Sequence, residues 1–325
     1  MSDHADCRTG QPMEASVVVP SRGGAQRLPR LIGAFAVQED APAFEVHVVV
    51  DGDVDDSAGV LARLAAEHPD MALTWTVFPE NRGRAAALNA GTAATTGRIV
   101  IRCDDDLEPG ANYVRDHVRA HDAVMGGVIG LPRNVLPSTA YQRVYGDDAD
   151  LLHAREAYAL PADKVWRHWA GNVSLPRTLL NELGGYDEAY RRYGWEDVDL
   201  GYRIHAAGHP VRFVRELETP HHAAAVTTYS KARRALHSGA SRQQFITSHG
   251  AAALGGDRAP SGLWGLAVRA VGAVTTEATL KPMAGAVDAL ADRLPKPVAE
   301  KLIALVVQGA AEAGRVRPRR ATRRF

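Results

Sequence analysis

Two groups of acidic residues lie far apart in the chain, Asp104-Asp105-Asp106 and Glu196-Asp197, and each sits where carboxylates can do chemistry. The triplet follows the apolar run Ile99 to Ile101 and precedes Leu107-Glu108-Pro109. On an extended segment residues two apart point the same way, so Asp104 and Asp106 are expected on one face and Asp105 on the other. Two like charges side by side repel unless a cation lies between them. A hard divalent ion such as Mg²⁺ or Mn²⁺, which takes one or two carboxylates together with phosphate oxygens, is the natural occupant; a solvated acidic turn is the plain alternative. Glu196-Asp197 stands between a Gly/aromatic turn and a helical stripe of Leu200, Gly201, Ile204 and Ala207, which Gly208 ends. Carboxylates on a first helical turn either complement its partial positive charge, for about 0.3–1 kcal/mol, or serve as a base toward a bound hydroxyl.

Other residues fall where they could assist. His221-His222 follows a strand pattern, and one of the two could complete a mixed oxygen/nitrogen shell suited to Mn²⁺; the pattern does not choose between them. Asp51 ends an apolar strand and could accept hydrogen bonds from a nucleotide base or ribose. Arg84 closes the turn Asn81 to Arg84 and opens an Ala-rich helix that carries Asn89. It either pairs with a diphosphate or is a surface arginine without a partner.

The elements that must position these residues alternate. Ala15 to Pro20 is a β-branched run ending at a proline, followed by Leu28, Leu31, Ile32 and Phe35 at helical spacing. The unit recurs with Val46 to Val50, a helix capped by Asp56-Ser57, the strand Leu73 to Phe78, the Ala-rich helix to about Ala94, and the strand Arg98 to Arg102. Such alternation predicts an α/β fold, a mainly parallel sheet with helices on both faces, and ligands bind such sheets beyond the carboxyl ends of the strands. Pro20, Asp51 and Asp104 all fall there. Leu131 to Pro161 reads as a variable loop region. Trp169 onward is ordered again, through a helix after Pro176 to the acidic pair and the strand Val211 to Val214. Past about Ser230 strand signals vanish and Val298 to Ala311 reads as an amphipathic helix. The expected organisation is a leader, 1–14, an α/β domain, 15–230, and a helical C-terminal extension, 231–325.

Lys and Arg balance Asp and Glu at 38 each, so no global field points to nucleic acid. Cys7 and Cys103 make no disulfide framework, which suits a reducing, cytoplasmic setting. No apolar stretch is long enough for a membrane span, and the first residues lack the order of a signal peptide. Six arginines close the chain: Arg315, Arg317, Arg319, Arg320, Arg323 and Arg324. They form either a solvated, unordered tail or a peripheral contact to anionic lipid at the inner membrane surface.

Four stretches match one family in order and spacing: SVVVPSRGGAQRLPRLI, VVVDGDVDDS, NRGRAAALNAGTAATTGRIVIRCDDDLEP, and GNVSLPRTLLNELGGYDEAYRRYGWEDVDLGYRIHAAG. Together, over about residues 15 to 222, they resemble the nucleotide-sugar glycosyltransferases of family 2, with a second half similar to the galactosyltransferase-type module. The resemblance implies the Rossmann-like GT-A fold. It implies a nucleotide-diphosphate sugar donor, with Pro20, Ser21, Asp51 and Asp105 at the nucleotide and Arg84 and Asn89 near the diphosphate-sugar. Asp104 and Asp106 would be the Asp-x-Asp pair at nucleotide and metal, with His221 or His222 completing the shell around Mn²⁺ or Mg²⁺. Glu196-Asp197 matches the Glu-Asp pair that supplies the catalytic base, more so Asp197, in an inverting transfer to a small-molecule, glycan or lipid-linked acceptor. Asp51-Gly52-Asp53 departs from the family's Asp-Asp-Gly-Ser, so base contacts there are expected to differ. A sugar-phosphate nucleotidyltransferase and a non-catalytic carbohydrate-binding protein are the rival readings.

Overall fold

Runs of Val and Ile flanked by Pro, Gly and Asp set the strands, and the helices between them cover the sheet. A computed structural model describes residues 12–191, 193–222, 225–255 and 261–321. In chain order the first half runs β1 (Ala15–Ser21), α1 (Leu28–Ala36), β2 (Phe44–Asp51), α2 (Ser57–Glu67), β3 (Leu73–Phe78), α3 (Arg84–Ala93), β4 (Ile99–Cys103) and α4 (Tyr113–Arg119). It continues with β5 (Gly127–Ile129), β6 (Pro132–Asn134), α5 (Asp147–Tyr158), β7 (Asn172–Pro176), α6 (Arg177–Glu182), α7 (Trp195–Ala206), β8 (Val211–Phe213) and β9 (Thr219–His221). Four helices close the chain: α8 (Thr228–His249), α9 (Gly262–Val274), α10 (Glu277–Ala291) and α11 (Lys296–Val316).

Seven strands form one mixed sheet in the order β3-β2-β1-β4-β7-β5-β8. The first four are parallel, and β7 enters antiparallel between β4 and β5. Both faces are covered by helices, so the central strands are largely apolar. Val17, Val19, Ile99 and Ile101 pack with α1, α2 and α4 on one face; Val18 and Val100 pack with α3, α6, α7 and Trp169 on the other. The antiparallel insertion of β7 sets Asn172 opposite Cys103, so the Gly171 loop lies against the end of β4. An ideal Cβ on Gly171 would stand 2.5 Å from Asp104 Oδ2, which leaves room there only for glycine.

Three expectations are corrected. Leu131 to Pro161 is an ordered wall, with Ala154 and Ala157 of α5 packed on Leu131, and Tyr141 and Val144 packed on α10 and α11. Asp53, and not Asp56, caps α2: its carboxylate accepts the backbone N–H groups of Ser57 (2.9 Å) and Ala58 (3.2 Å). The basic tail is docked as far as it is described. Arg320 donates to the carbonyls of Gly272 (2.9 Å), Ala273 (2.9 Å) and Thr275 (2.7 Å), so it caps the carboxyl end of α9, and Ala321 is buried. Arg323 and Arg324 lie outside the described residues.

The C-terminal helices are joined to the sheet through α8. Its far end inserts Phe245 between Trp166 and Trp195, and His249 Nε2 meets Asp199 of α7 at 2.6 Å. Helix α7 is in turn pressed on Trp169 through Gly201, where an added Cβ would lie 2.3 Å from the Trp166 carbonyl oxygen and 2.7 Å from Trp169 Cβ. Gly201→Ala is expected to lower stability by about 1–3 kcal/mol through overpacking. A thermal melt with an unshifted midpoint would contradict this contact.

Candidate active site

The site is built around a buried cation. Arg102 lies within the apolar strand β4, and its side chain is 3% exposed, so it requires anionic partners. It has two. Nε donates to Asp104 Oδ1 at 2.9 Å, and Nη1 donates to Asp197 Oδ1 on the first turn of α7. A single guanidinium therefore ties the acidic triplet to the acidic pair, and the two clusters face one cleft at the carboxyl end of the sheet.

The triplet is a turn and not an extended segment, closed by the Leu107 N–H donating to the Asp104 carbonyl at 3.2 Å. Its three side chains therefore take three directions, and the expected pairing of Asp104 with Asp106 on one face is corrected. Asp104 turns to Arg102, whose charge, with that of Arg84, outweighs its burial and draws its carboxyl down to about 2. Asp105 is buried, accepting Ser21 Oγ (2.5 Å) and the Arg27 fork (3.0 and 2.8 Å). Asp106 Oδ2 meets His221 Nε2 at 3.1 Å, while its Oδ1 is buried with no hydrogen-bond partner.

Strand β9 fixes the histidines. The His222 N–H donates to the Asp106 carbonyl at 2.8 Å, which holds the two segments in register. His221 thereby lies beside Asp106, whereas the His222 ring turns away to Glu108 Oε2. The structure separates the two histidines where the sequence could not, and places His222 outside the shell. Among the described residues no three His, Cys, Asp or Glu side chains form a ready-made cage. The orphaned Asp106 oxygen and the adjacent imidazole nitrogen still fit a divalent ion that takes its remaining ligands from a diphosphate and water.

Glu196 and Asp197 have different work. Glu196 Oε2 accepts the Gly194 N–H at 3.0 Å, at the amino end of α7, and Oε1 accepts Arg84 Nη1 at 3.0 Å. Both its oxygens are thus engaged, and it caps the helix as the simpler reading expected. Asp197 is also buried, but Arg102 takes only Oδ1. Burial pushes its carboxyl up to about 7; Arg102 and Arg84 pull the other way, and Glu196 and Asp104 add to the rise.

Several residues expected at the nucleotide-sugar are engaged with the protein's own groups. Both Asp51 oxygens accept backbone N–H groups, from Arg82 (2.6 Å) and Gly83 (2.9 Å), so it fastens the turn before α3. Asn89 clasps Tyr186, donating to its carbonyl and accepting its N–H, both at 2.9 Å. Ser21 is committed to Asp105, and Pro20 lies in β1 just before it. Arg84 has a partner in Glu196, against the surface alternative. Sequence reasoning missed Arg102 and Arg27; the available signal was an arginine inside the otherwise apolar IVIRC strand.

The fold is of the GT-A type. Residues 16–159 match the family described as glycosyl transferase family 2, and 152–226 match that described as the N-terminal domain of galactosyltransferase. Over these residues the chain is similar to the family 2 glycosyl transferases. It is 32% identical over 238 residues to a validoxylamine A glucosyltransferase of Streptomyces hygroscopicus subsp. limoneus, covering 63% of this chain and 51% of that protein. It is 27% identical to the pre-mycofactocin glycosyltransferase of Mycobacterium tuberculosis, over 62% of this chain and 41% of that protein. The chain thus spans about half the length of these curated relatives. In fold it is similar to a mannosyltransferase from Pyrobaculum calidifontis in complex with GDP-Man and Mn²⁺, with TM-score 0.64, 23% identity, and 95% and 88% of the two chains covered.

Arg102→Met would strand two buried carboxylates and is expected to destabilise by about 3–5 kcal/mol, with partial recovery when Asp197→Asn is added. Urea unfolding tests this. Additive losses would show that Arg102 does not couple the two clusters.

Proposed function

We propose that the chain transfers a sugar from a nucleotide-diphosphate sugar to an acceptor hydroxyl, with inversion at the anomeric carbon and Asp197 as the base. The observation that carries the proposal is the Arg102 bridge, which joins Asp197, the proposed proton acceptor, to Asp104 of the acidic triplet. In the proposed step the acceptor oxygen forms its bond to the anomeric carbon as the bond to the diphosphate oxygen breaks. The acceptor proton passes to Asp197 Oδ2, and the nucleoside diphosphate leaves. Arg84, beside Glu196 and in the field of Asp104, is the protein cation nearest that developing charge. A Mn²⁺ or Mg²⁺ ion held by Asp106 and His221, with Asp104 nearby, would neutralise charge on the leaving group. The family match supports this reading, as do the GDP-Man and Mn²⁺ in complex with the Pyrobaculum neighbour and the UDP in a second structure of similar fold, S. aureus TarS 1-349 (TM-score 0.53, 15% identity). The donor base, the sugar and the acceptor are left to experiment. No described helix is long and apolar enough to cross a membrane.

Screening nucleoside diphosphates with and without Mn²⁺ for thermal stabilisation is the first test. A ligand at 100 times its dissociation constant should add about 2.7 kcal/mol, and Asp106→Ala should lose the Mn²⁺-dependent part. Stabilisation by no nucleotide would remove the donor site. With a donor in hand, Asp197→Asn is expected to cut transfer about 10²–10⁴-fold while nucleotide binding persists, and Glu196→Gln to cut it less. Normal transfer by Asp197→Asn would refute its role as base.

The pH profile gives a separate check. A base must be ionised, and the Asp197 carboxyl is raised from 3.8 to about 7, mainly by burial. The turnover rate should therefore rise from acid toward neutrality with an inflection near 7, falling about tenfold per pH unit on the acid side. In Asp197→Asn that limb should vanish; its persistence would assign the titration elsewhere.

A further inference from the structure

The proposed mechanism does not use the surface where α8 begins. Tyr193 lies just before α7, and two guanidiniums lie over its ring: Arg84 at 5.6 Å from the centroid and Arg234 of α8 at 5.5 Å. Lys231 is three residues before Arg234, so the two share a face of α8. The Thr227 capping box and the Asp288 carboxylate, which Thr228 Oγ1 reaches at 2.5 Å, hold that first turn in place. Lys231 is exposed, and Arg84, Tyr193 and Arg234 are half-buried, so solvent reaches the group. A continuous set of contacts runs from the base outward: Asp197 adjoins Glu196, Glu196 holds Arg84, Arg84 lies over Tyr193, and Tyr193 carries Arg234.

Beyond Arg84, which the proposed mechanism assigns to the leaving group, the set continues through Tyr193 to α8. Crowding around the Lys231 stem and the charge of Arg234 push its ammonium below the ordinary lysine value, against the pull of Asp150. Neighbouring cations favour an anion, and the Arg234 guanidinium beside the Lys231 ammonium suits the oxygens of a phosphate.

We propose that Lys231, Arg234 and Tyr193 form a subsite for a phosphate group carried by the acceptor, adjacent to the base. The inference rests on the glycosyltransferase reading for the word acceptor, while the anion site itself can be tested independently. The acceptor would enter with its phosphate over Tyr193, and the tether between phosphate and hydroxyl would set which hydroxyl reaches Asp197. Neutral sugars would then be poor acceptors beside their phosphorylated counterparts.

The probe is methyl phosphate, titrated by calorimetry into the full chain saturated with Mn²⁺ and its best nucleoside diphosphate, so that the donor site is filled. Saturable binding is expected. Its affinity should fall at least tenfold in Lys231→Ala and in Arg234→Ala, while nucleoside diphosphate affinity stays within twofold of the unmodified chain. Tyr193→Leu, which keeps every charge, should weaken methyl phosphate through the loss of the platform. If Arg234→Ala does not fold, Lys231→Ala and Arg234→Lys replace it, the latter with a smaller loss. Absence of methyl phosphate binding, or equal affinity in all variants, overturns the subsite. A parallel loss of nucleoside diphosphate affinity also overturns it, because the cations would then hold the donor. If no nucleoside diphosphate binds, the donor reading fails by itself, and titration of the unliganded chain still decides whether the anion site exists.

Discussion

A guanidinium in the middle of an apolar strand is the constraint on which the site depends. Taking Arg102 out of water is unfavourable by several kcal/mol unless its charge is met at close range, and a sheet interior supplies no water to meet it. Asp104 lies two residues further on, just past the end of β4, and Asp197 is brought in from 95 residues away by α7. The arrangement works in both directions. The arginine is tolerated because the two carboxylates are present, and the carboxylates can lie close together because the arginine is between them. The antiparallel β7, the Gly171 approach and the Gly201 contact on Trp169 all bring α7 to the end of β4 at the distance this cation requires.

Three consecutive aspartates then take on three tasks, because the chain turns beneath them. Asp105 is drawn inward to Ser21 and Arg27 and fastens the tip of β4 to the loop after β1. Asp104 is held strongly ionised by Arg102 and Arg84 and contributes a fixed negative charge. Of the three, Asp106 alone keeps a buried oxygen without a protein partner, which is what a cation ligand needs before the cation arrives. Glu196 and Asp197 divide in the same manner. Hydrogen bonding commits the first to the helix end, while burial gives the second a proton affinity suited to neutral pH.

The fold is legible in the sequence because its signals are local. Alternating β-branched runs and helical stripes in the first hundred residues correspond to β1 through β4, and the parallel order follows from them. The segment before Trp169 is not legible. Helix α5 reads DDADLLHAREAY, and it buries little beyond Ala154 and Ala157, so its apolar face is too thin to show in the sequence. Within the site, residue types and strand ends point to the right neighbourhood. Which partner each side chain takes depends on long-range geometry. Asp51 reads as a nucleotide ligand until the 82–83 amides are seen beside it, and His221 and His222 are equivalent until β9 pairs with the segment after the triplet.

The terminal helices obey the same logic. At the amino end of α7, Trp195 and Tyr193 both take partners from α8, Ser238 and Arg234. Helix α8 covers that end. Its far end is pinned by His249 on Asp199 and by Phe245 among the tryptophans, and its near end brings Arg234 over Tyr193. One helix thus buttresses the element that bears Asp197 and also supplies the Arg234 contact to Tyr193. Helices α10 and α11 pack along α8, and the Arg320 cap ties the end of α9 to the same group, so the position of α8 over α7 is set by the C-terminal helices and not by the Arg102 bridge.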